Sequence, residues 1–297
     1  MEKDIFSVWP EPFIPDHPAL SGAKDDHPFG HASLELMKEV GIAALLISNI
    51  IPEEPMKRND AIVCAFIVKS AKLAKAILAM TQDFGEERQL ALFRELFEAL
   101  AALNYLLEDE GNGERFDLFV SQSLASERAN IETFKKNSKD RGYAQFIEKD
   151  MEKSIRKTAK FAGITDIDTI PGRKKIPWPS AEEMLFMISE YAYPAYRAGS
   201  GVIHTNWSDL LRNHLNPIGD GTFDVMVEER GPGPEPLYSG GLLLCTSLKK
   251  YLQMINPQAY EILGSKLDDL AKRIHDVAML HNEFRNKQRG HTANQPE

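Results

Sequence analysis

The segment FRELFEALAALNYLLED, residues 93–109, decides the fold class, because its apolar residues return at the three- and four-residue spacing of an α-helix. With Leu92 just before the segment, they form one continuous stripe of Leu92, Leu96, Leu100, Leu103 and Leu107. An apolar stripe of this kind is typical of an amphipathic helix that packs on a core. The pattern therefore predicts a long helix from Glu86 to about Asp109.

Helical periodicity continues on both sides of this segment. Helices are predicted from about residue 31 to Pro52, then over 60–81, 114–137 and 143–161, and near the C-terminus over 242–255 and 258–284. The joints between these long helices are short, which favours antiparallel packing of neighbours. We therefore predict an all-α fold, an antiparallel multi-helix bundle.

Three stretches fall outside the helical pattern. Residues 1–30 contain five prolines and predict an extended N-terminal arm, and residues 287–297 are polar and predict a disordered tail. Within 216–241, an Asp-Gly turn, the alternating segment TFDVMVEE and a GPGPEP run predict a short β-hairpin or flap. The expected organisation is one helical domain over 31–286 that carries this insertion.

Composition narrows the class of protein. The chain of 297 residues is 43% hydrophobic, and its net charge of -9 argues against a protein whose whole surface coats nucleic acid. Cys64 and Cys245 stand far apart, so neither a disulfide framework nor a CxxC metal site is expected. The N-terminus does not read as a signal peptide, and the longest apolar run, 41–51, is about half a bilayer span. We expect a cytoplasmic protein without a membrane segment.

Positive charge is concentrated in one part of this acidic chain. Residues 135–175 hold 12 Lys and Arg against 6 Asp and Glu, a local net of +6 that leaves -15 for the rest. One side of the predicted helix over 143–161 carries Lys149, Lys153, Arg156, Lys157 and Lys160. This stripe is either an RNA-binding surface that follows a phosphate backbone or a solvated face interleaved with acidic residues.

The segment YAYPAYRAGSGVIHTNW, residues 191–207, holds the main chemical candidates. An S-x-x-E capping box at 180–183 predicts the start of a helix that runs into this segment, with a kink at Pro194. In a helix, Arg197, Ser200 and His204 would share one stripe. A permanent cation beside an imidazole can hold a phosphate and move a proton near neutral pH, which is enough to cut RNA without a metal.

Other kinds of site find little support. The sequence has no HExxH and no Glu-x-x-His pair, and Pro28 and Gly30 disrupt a helical metal face at His27 and His31. No P-loop is present, so neither a metal nor a cofactor is predicted. The i,i+4 pair of Arg94 and Glu98 has two interpretations: a surface salt bridge, or a buried pair that orients the catalytic stripe.

Residues 93–109 and 189–210 resemble the two signature regions of a mainly bacterial family associated with the HEPN superfamily, named for nucleotide binding in higher eukaryotes and prokaryotes. The family pattern, Arg-x-x-x-Glu, then Tyr-Arg, then Ser-x-x-x-His, is matched by Arg94, Glu98, Tyr196, Arg197, Ser200 and His204. The likeness covers about residues 60–212. It implies an α-helical bundle, commonly dimeric, and often a metal-independent endoribonuclease of a toxin or antiviral system.

Two functions are therefore weighed. In the first, a HEPN-like endoribonuclease, His204 is the general acid or base, Arg197 holds the scissile phosphate, and Ser200 and Asn206 assist through hydrogen bonds. Such ribonucleases usually have a polar residue directly after the Arg, and this chain has Ala198. In the second, a catalytically silent helical module binds a partner protein or a nucleotide.

Seven residues of helix separate Arg197 from His204, so their side chains stay apart within one straight helix. We therefore expect a homodimer in which a two-fold axis near Gly199 and Gly201 brings the Arg197 of one subunit toward the His204 of the other. The alternative is a bend at Pro194 or at the glycines that brings the two together within one chain.

Overall fold

The computed structural model describes residues 9–51, 55–83, 86–109, 111–189, 192–204, 207–227 and 233–292. The described helices are α1 (His17–Ser21), α2 (His27–Ile47), α3 (Arg58–Asp83), α4 (Glu86–Leu107), α5 (Glu114–Arg141), α6 (Phe146–Phe161), α7 (Ala181–Ile188), α8 (Ala192–His204), α9 (Trp207–Asn213), α10 (Pro234–Ile255) and α11 (Pro257–Thr292). Two short strands, β1 (Leu215–Gly219) and β2 (Thr222–Val225), form a hairpin. The predicted all-α class with a short hairpin is confirmed. None of the described helices has the length and apolar character needed to cross a membrane.

The chain forms two compact units where the sequence predicted one helical domain. The first unit comprises the described residues up to Met56, then Asp60–Leu107 and the chain from Ala181 onward. The second comprises Lys57–Asn59 and Glu108–Ser180. Helix α5 contributes its own buried residues, Phe116, Val120, Leu124, Ala125 and Ile131, which give the second unit a small separate core.

Helix α4 lies at the centre of the first unit, where it packs against α7, α8 and α10. The middle of the apolar stripe that predicted this helix is fully buried at Leu96, Leu100 and Leu103, whereas its end members Leu92 and Leu107 are half-buried. Helix α10 approaches α4 closely because Gly240 has no side chain: a Cβ there would lie 2.7 Å from a ring carbon of Phe93. Helix α10 also packs against α2 and α11, which completes the core.

Prolines lie in the first turn of four helices where the sequence predicted other structures: α1 and α2, which begin inside the predicted extended arm, and α8 and α10. Helix α7 ends at Ile188 and α8 begins at Ala192, so Pro194 lies in the first turn of a new helix and does not kink a continuous one. Likewise α10 begins at Pro234, within the GPGPEP run that was predicted to be part of a flap. The first helical turn tolerates proline because its amide groups have no partner within the helix.

The hairpin occupies the first part of the predicted insertion. Strand β1 pairs antiparallel with β2, and Leu215 lies opposite Val225. Asp220 and Gly221 connect the strands with φ angles of 51° and 72°. Both values lie in the left-handed region, where an Asp-Gly pair is favoured and where a hairpin turn of the mirror-image type places its central residues.

The N-terminal arm is held against the first unit by a buried ion pair. Arg273 donates to both carboxylate oxygens of Glu39, each at 2.7 Å, and the two residues are 8% and 3% exposed. Phe13 joins this pair through its backbone, since its N–H donates to Glu39 at 3.1 Å and its carbonyl accepts from Arg273 at 2.8 Å. The hydrogen bond to Glu39 is the main cause of a raised Arg273 pKa.

Both ends of the chain contain more helix than the sequence predicted. The arm includes α1, which Asp16 caps by accepting a hydrogen bond from the Ala19 amide at 3.0 Å. Helix α11 continues to Thr292, six residues into the predicted disordered tail. The apolar spacing that defined the last predicted helix stops near residue 284, but the polar residues after it extend the same helix.

In the second unit, α5 and α6 are joined by a tight turn at Gly142, whose φ of 80° favours glycine. Helix α6 begins with a capping box in which Gln145 and Glu148 satisfy each other's free amide groups. Glu148 also accepts from Arg141, and this bond is the first cause of its lowered pKa. These contacts fix the start of α6 at Phe146, three residues later than the apolar pattern predicted.

Candidate functional site

Helix α8 lies close against α4 at Gly199. A Cβ placed on Gly199 would lie 2.5 Å from the carbonyl oxygen of Leu90 and 2.9 Å from the Cβ of Arg94. Both distances are below contact, and the first involves backbone, which cannot rotate away. Any residue other than glycine would push the two helices apart, so Gly199 sets the height of α8 above α4.

This close packing brings Arg94 and Glu98 of α4 under Tyr196 of α8. Arg94 Nε donates to Glu98 Oε1 at 3.1 Å, and the Tyr196 hydroxyl donates to the same oxygen at 3.0 Å. The Arg94 guanidinium carbon lies 5.4 Å from the centroid of the Tyr196 ring, within the range of a cation–π contact. The pair thus orients Tyr196, which directly precedes Arg197 of the predicted stripe, although Glu98 remains 45% exposed.

The Tyr196 hydroxyl stays protonated at ordinary pH and acts as a hydrogen-bond donor. Partial burial raises the Tyr196 pKa, and the negative charge of Glu98 raises it further. A neutral phenol that donates to a carboxylate is therefore the resting arrangement. This bond joins α4 to α8 at their partly solvated edge, next to the dry contact at Gly199.

Arg197 is more exposed than Arg94. Its side chain is exposed, and Nη1 donates to the hydroxyl of Tyr193 at 3.4 Å. Among the described residues no carboxylate lies within ion-pair distance of Arg197. Its charge is consequently available to an anion, while the Tyr193 hydroxyl limits how freely the guanidinium moves.

An aromatic group borders Arg197. The Tyr193 ring lies 5.0 Å from the Phe186 ring of α7 and 6.1 Å from the Tyr196 ring, measured between centroids. Ser200, one turn further along α8, donates to the Tyr196 carbonyl at 3.3 Å. The predicted residues Tyr196, Arg197 and Ser200 are therefore brought together on one face of α8.

Of the remaining two predicted catalytic residues, only the backbone of His204 belongs to the described part of the structure. His204 is the last residue of α8, and its side chain lies outside the described part of the structure, as does all of Asn206. The helix runs without interruption from Arg197 to His204, so the two Cα atoms are about 10 Å apart along its axis. Because Pro194 precedes both residues, a kink there does not bring them together.

The predicted role of Gly199 in a dimer contact is not what the structure shows. That glycine faces α4 of its own chain, where Leu90 and Arg94 occupy the space a second subunit was expected to enter. The missing side chain allows the contact with α4 inside the chain, so the same position cannot also contact a second subunit. A two-fold contact, if it involves α8, uses another face.

The predicted RNA-binding stripe lies in the second unit, on α6, and all five of its side chains are exposed. Arg156 differs from the lysines because it donates to Glu152 at 2.8 and 3.0 Å, which is the first cause of its raised pKa. Asp168 lies 3.9 Å from the same guanidinium. Lys149, Lys153 and Lys160 form no ion pair among the described residues.

Sequence reasoning missed four aromatic residues that now flank the candidate surfaces. Tyr193 contacts Arg197 and is itself packed against Phe186, while Phe146 and Phe161 lie at the two ends of α6. The helical spacing of Tyr193 from Tyr196 and Arg197 was a usable signal, because residues three and four apart share a face. Within the described ranges no group of three or more His, Cys, Asp or Glu is placed to hold a metal ion.

A family model described as a family of unknown function (DUF5677) matches residues 60–222, which is more than half of the chain. The chain therefore belongs to this family. The matched range includes α4, α8 and residues Glu108–Ser180 of the second unit, and so contains both candidate surfaces. No curated protein and no solved structure gives a match.

Proposed function

We propose that this member of the DUF5677 family is a HEPN-like, metal-independent endoribonuclease. The observation that supports this best is the exposed guanidinium of Arg197 on a helix face that it shares with Ser200 and, one turn further on, His204. Among the described residues this cation has no carboxylate partner, and the same helix carries, seven positions further on, a histidine that can exchange protons near neutral pH; the two groups together suit a phosphodiester substrate. The resemblance at Arg94, Glu98 and the α8 residues points to the same chemistry.

In this proposal, His204 removes the proton from a ribose 2′-hydroxyl, and the 2′-oxygen attacks the adjacent phosphorus. The bond from phosphorus to the 5′-oxygen breaks, that oxygen takes up a proton, and a 2′,3′-cyclic phosphate remains. Arg197 stabilises the negative charge on the phosphoryl oxygens, while Ser200 and Asn206 donate hydrogen bonds. Arg94 and Glu98 act through Tyr196 as positioning residues.

The distance between Arg197 and His204 favours a site shared by two subunits. About 10 Å of helix separates their Cα atoms, and helical side chains in general lean in the same direction along the axis, so one phosphate does not easily contact both residues within a chain. A homodimer that pairs the Arg197 of one subunit with the His204 of the other resolves this. The resemblance further suggests a toxin or antiviral role, with a partner protein that controls it.

The first test is cleavage of mixed cellular RNA in EDTA by the wild type and by His204→Ala, with His275→Ala as the matched control. His275 is exposed and lies on a different helix, α11. Losing a general base costs about 10²–10⁴-fold in rate, so His204→Ala should be nearly inactive while His275→Ala keeps full activity. Equal rates in the two variants, or activity that needs Mg²⁺, would reject the proposal.

A mixing experiment tests the shared site. Arg197→Ala and His204→Ala are each expected to be inactive, and equal amounts exchanged into mixed dimers should regain about a quarter of the wild-type rate. The quarter follows because half of the dimers are mixed and each has one intact site. Absence of any recovery would place the site within one chain. RNA binding by a wild type that never cleaves would favour the catalytically silent module.

A further inference from the structure

The outward face of α6 carries two exposed aromatic side chains at its ends. Phe146 and Phe161 are each 78% exposed, which is high for phenylalanine. Fifteen residues separate them, so they are about 22 Å apart along the helix axis. Helix α6 buries its opposite side, where Ile155 and Ala159 are 6% and 1% exposed. The two rings therefore face solvent because the small core of this unit is made by the other side of the helix.

Lysines occupy the surface between these rings. At 100° per residue, Lys149, Lys153, Lys157 and Lys160 fall with both phenylalanines inside an arc of about 120°. Lys157 Nζ lies 5.6 Å from the centroid of the Phe161 ring, so charge and aromatic surface meet directly. One acidic residue, Asp150, shares this arc. Arg156 lies at its edge and is held by Glu152.

We infer that this face of α6 binds single-stranded RNA, with bases stacked on Phe146 and Phe161 and phosphates held by the lysines between them. The inference rests on the proposed function and names the form of RNA that this surface accepts. Aromatic side chains take bases only when the strand is unpaired, because a duplex keeps the base faces stacked inside. Lysines alone would attract any polyanion, so the exposed rings are what select an unpaired strand.

Charge decides between this ligand and other occupants of an exposed apolar face. Four lysines against one aspartate give the face a net positive charge in a chain whose overall charge is -9. A hydrophobic protein partner would leave these lysines desolvated without partners, whereas a phosphate backbone neutralises each of them. The axial length between the rings suits a site of a few nucleotides, within the usual range of about 4–16 for single-strand sites.

The test measures binding by fluorescence anisotropy, with His204→Ala as the background so that cleavage does not interfere. Three probes are compared: an unstructured RNA strand of about 12 nucleotides, within the range of single-strand sites, an abasic strand of the same length and charge, and the duplex form of the RNA. Affinity for the single strand should exceed affinity for both others. Stronger binding to anionic lipid vesicles than to any of these probes would overturn the inference.

The aromatic variant is Phe146→Ala combined with Phe161→Ala. Each stacked base contributes about 1–3 kcal/mol, so affinity for the RNA strand should fall at least about tenfold while affinity for the abasic strand stays unchanged. Its control is Ile147→Ala with Met151→Ala, which removes exposed apolar groups from the flank of the same helix. Equal losses in the two variants, or a loss on the abasic strand as well, would contradict stacking.

The charge variant is Lys153→Glu combined with Lys157→Glu. It should weaken binding to both single strands. The slope of log binding constant against log salt concentration should become shallower by about 1.4, since each phosphate contact on a single strand contributes about 0.7 to that slope. The control is Lys136→Glu with Lys139→Glu, which changes the same charge on exposed positions of α5. An equal effect of the control would show general attraction to this unit and would reject a site on α6.

The two proposals fail separately. Loss of RNA binding by the α6 variants concerns only this inference, because cleavage is read from His204 and Arg197 in the other unit. Cleavage that persists with full affinity after both α6 changes would overturn the inference and leave the ribonuclease standing. Binding of single-stranded RNA with no cleavage by the wild type would support the binding face on α6 and reject the ribonuclease.

Discussion

Two arginine–glutamate pairs of the first unit use the same chemical groups in opposite ways. Arg273 and Glu39 join α11 to α2 through two short hydrogen bonds and are both buried. Arg94 and Glu98 lie one turn apart on α4, share a single bond of 3.1 Å, and leave Glu98 nearly half in water. The comparison shows how little the residue types alone say about the role of a pair.

The difference lies in what surrounds each carboxylate. Glu39 receives its remaining hydrogen bond from the backbone of Phe13, so its charge is satisfied entirely by parts of the fold. Glu98 receives its additional bond from the Tyr196 hydroxyl, a side chain of the candidate site. The first pair therefore connects parts of the fold only, while the second is partly solvated and contacts the helix that carries the candidate residues.

Breaking the buried pair should have the largest effect. Arg273→Met leaves Glu39 buried without its partner, and losing one member of such a pair costs about 3–5 kcal/mol in the free energy of unfolding. Urea denaturation measures this. Lys272→Gln, which opens the exposed pair with Asp276, is the control and should leave the unfolding midpoint unchanged. A loss no greater than that of the control would show that the Glu39 pair is not structural.

Changing the support of the second pair should have an intermediate effect. Gly199→Ala forces α8 away from α4 because the new Cβ meets the Leu90 carbonyl, and strain of this kind costs about 1–3 kcal/mol. RNA cleavage should fall with it, since Tyr196 and Arg197 move together. Gly30→Ala is the matched control: it lies in α2 with open space around the added carbon. That change should be neutral or slightly stabilising in urea denaturation.

Removing one hydroxyl from the second pair should have the smallest effect. Tyr196→Phe loses the bond to Glu98, worth about 0.5–1.5 kcal/mol, toward the lower end because Glu98 is solvated. The raised Tyr196 pKa makes this contribution complete below about pH 10 and lost as pH rises through the folded-state pKa. Unfolding free energies of wild type and variant should therefore converge in alkali. A constant difference would contradict the bond.

Local patterns predicted the helices and hairpin because each depends on residues a few positions apart. The stripe through Leu96 and Leu100, the helix start after Ser180 and the Asp-Gly turn all arise in this way. The buried pair could not be predicted, since 234 residues separate Glu39 from Arg273 and nothing in either neighbourhood marks the other. The division into two units likewise depends on which helices share a core.

For the candidate site too, local spacing was predictable from the sequence and contacts between distant residues were not. Helical spacing alone placed Arg197 and Ser200 on one face, and the structure adds the contact of Tyr196 with Glu98, which spans 98 residues. The internal use of Gly199 was not predictable, because a glycine in a helix signals a close approach without saying which partner approaches. The sequence shows Phe146 and Phe161 of α6, but it does not show that they are exposed, because their exposure depends on which side of the helix the second unit buries.

The pair of Glu39 and Arg273 also sets an order of events during synthesis. Glu39 leaves the ribosome 234 residues before its partner, a delay of about 10–50 s at usual rates of elongation. Until then the Glu39 carboxylate lacks its guanidinium partner, the part of α2 that packs against α11 is uncovered, and the arm has no guanidinium to hold its Phe13 carbonyl. The N-terminal part of the protein therefore waits for its last helix, and a truncated or stalled chain would expose that part of α2 to chaperones and proteases.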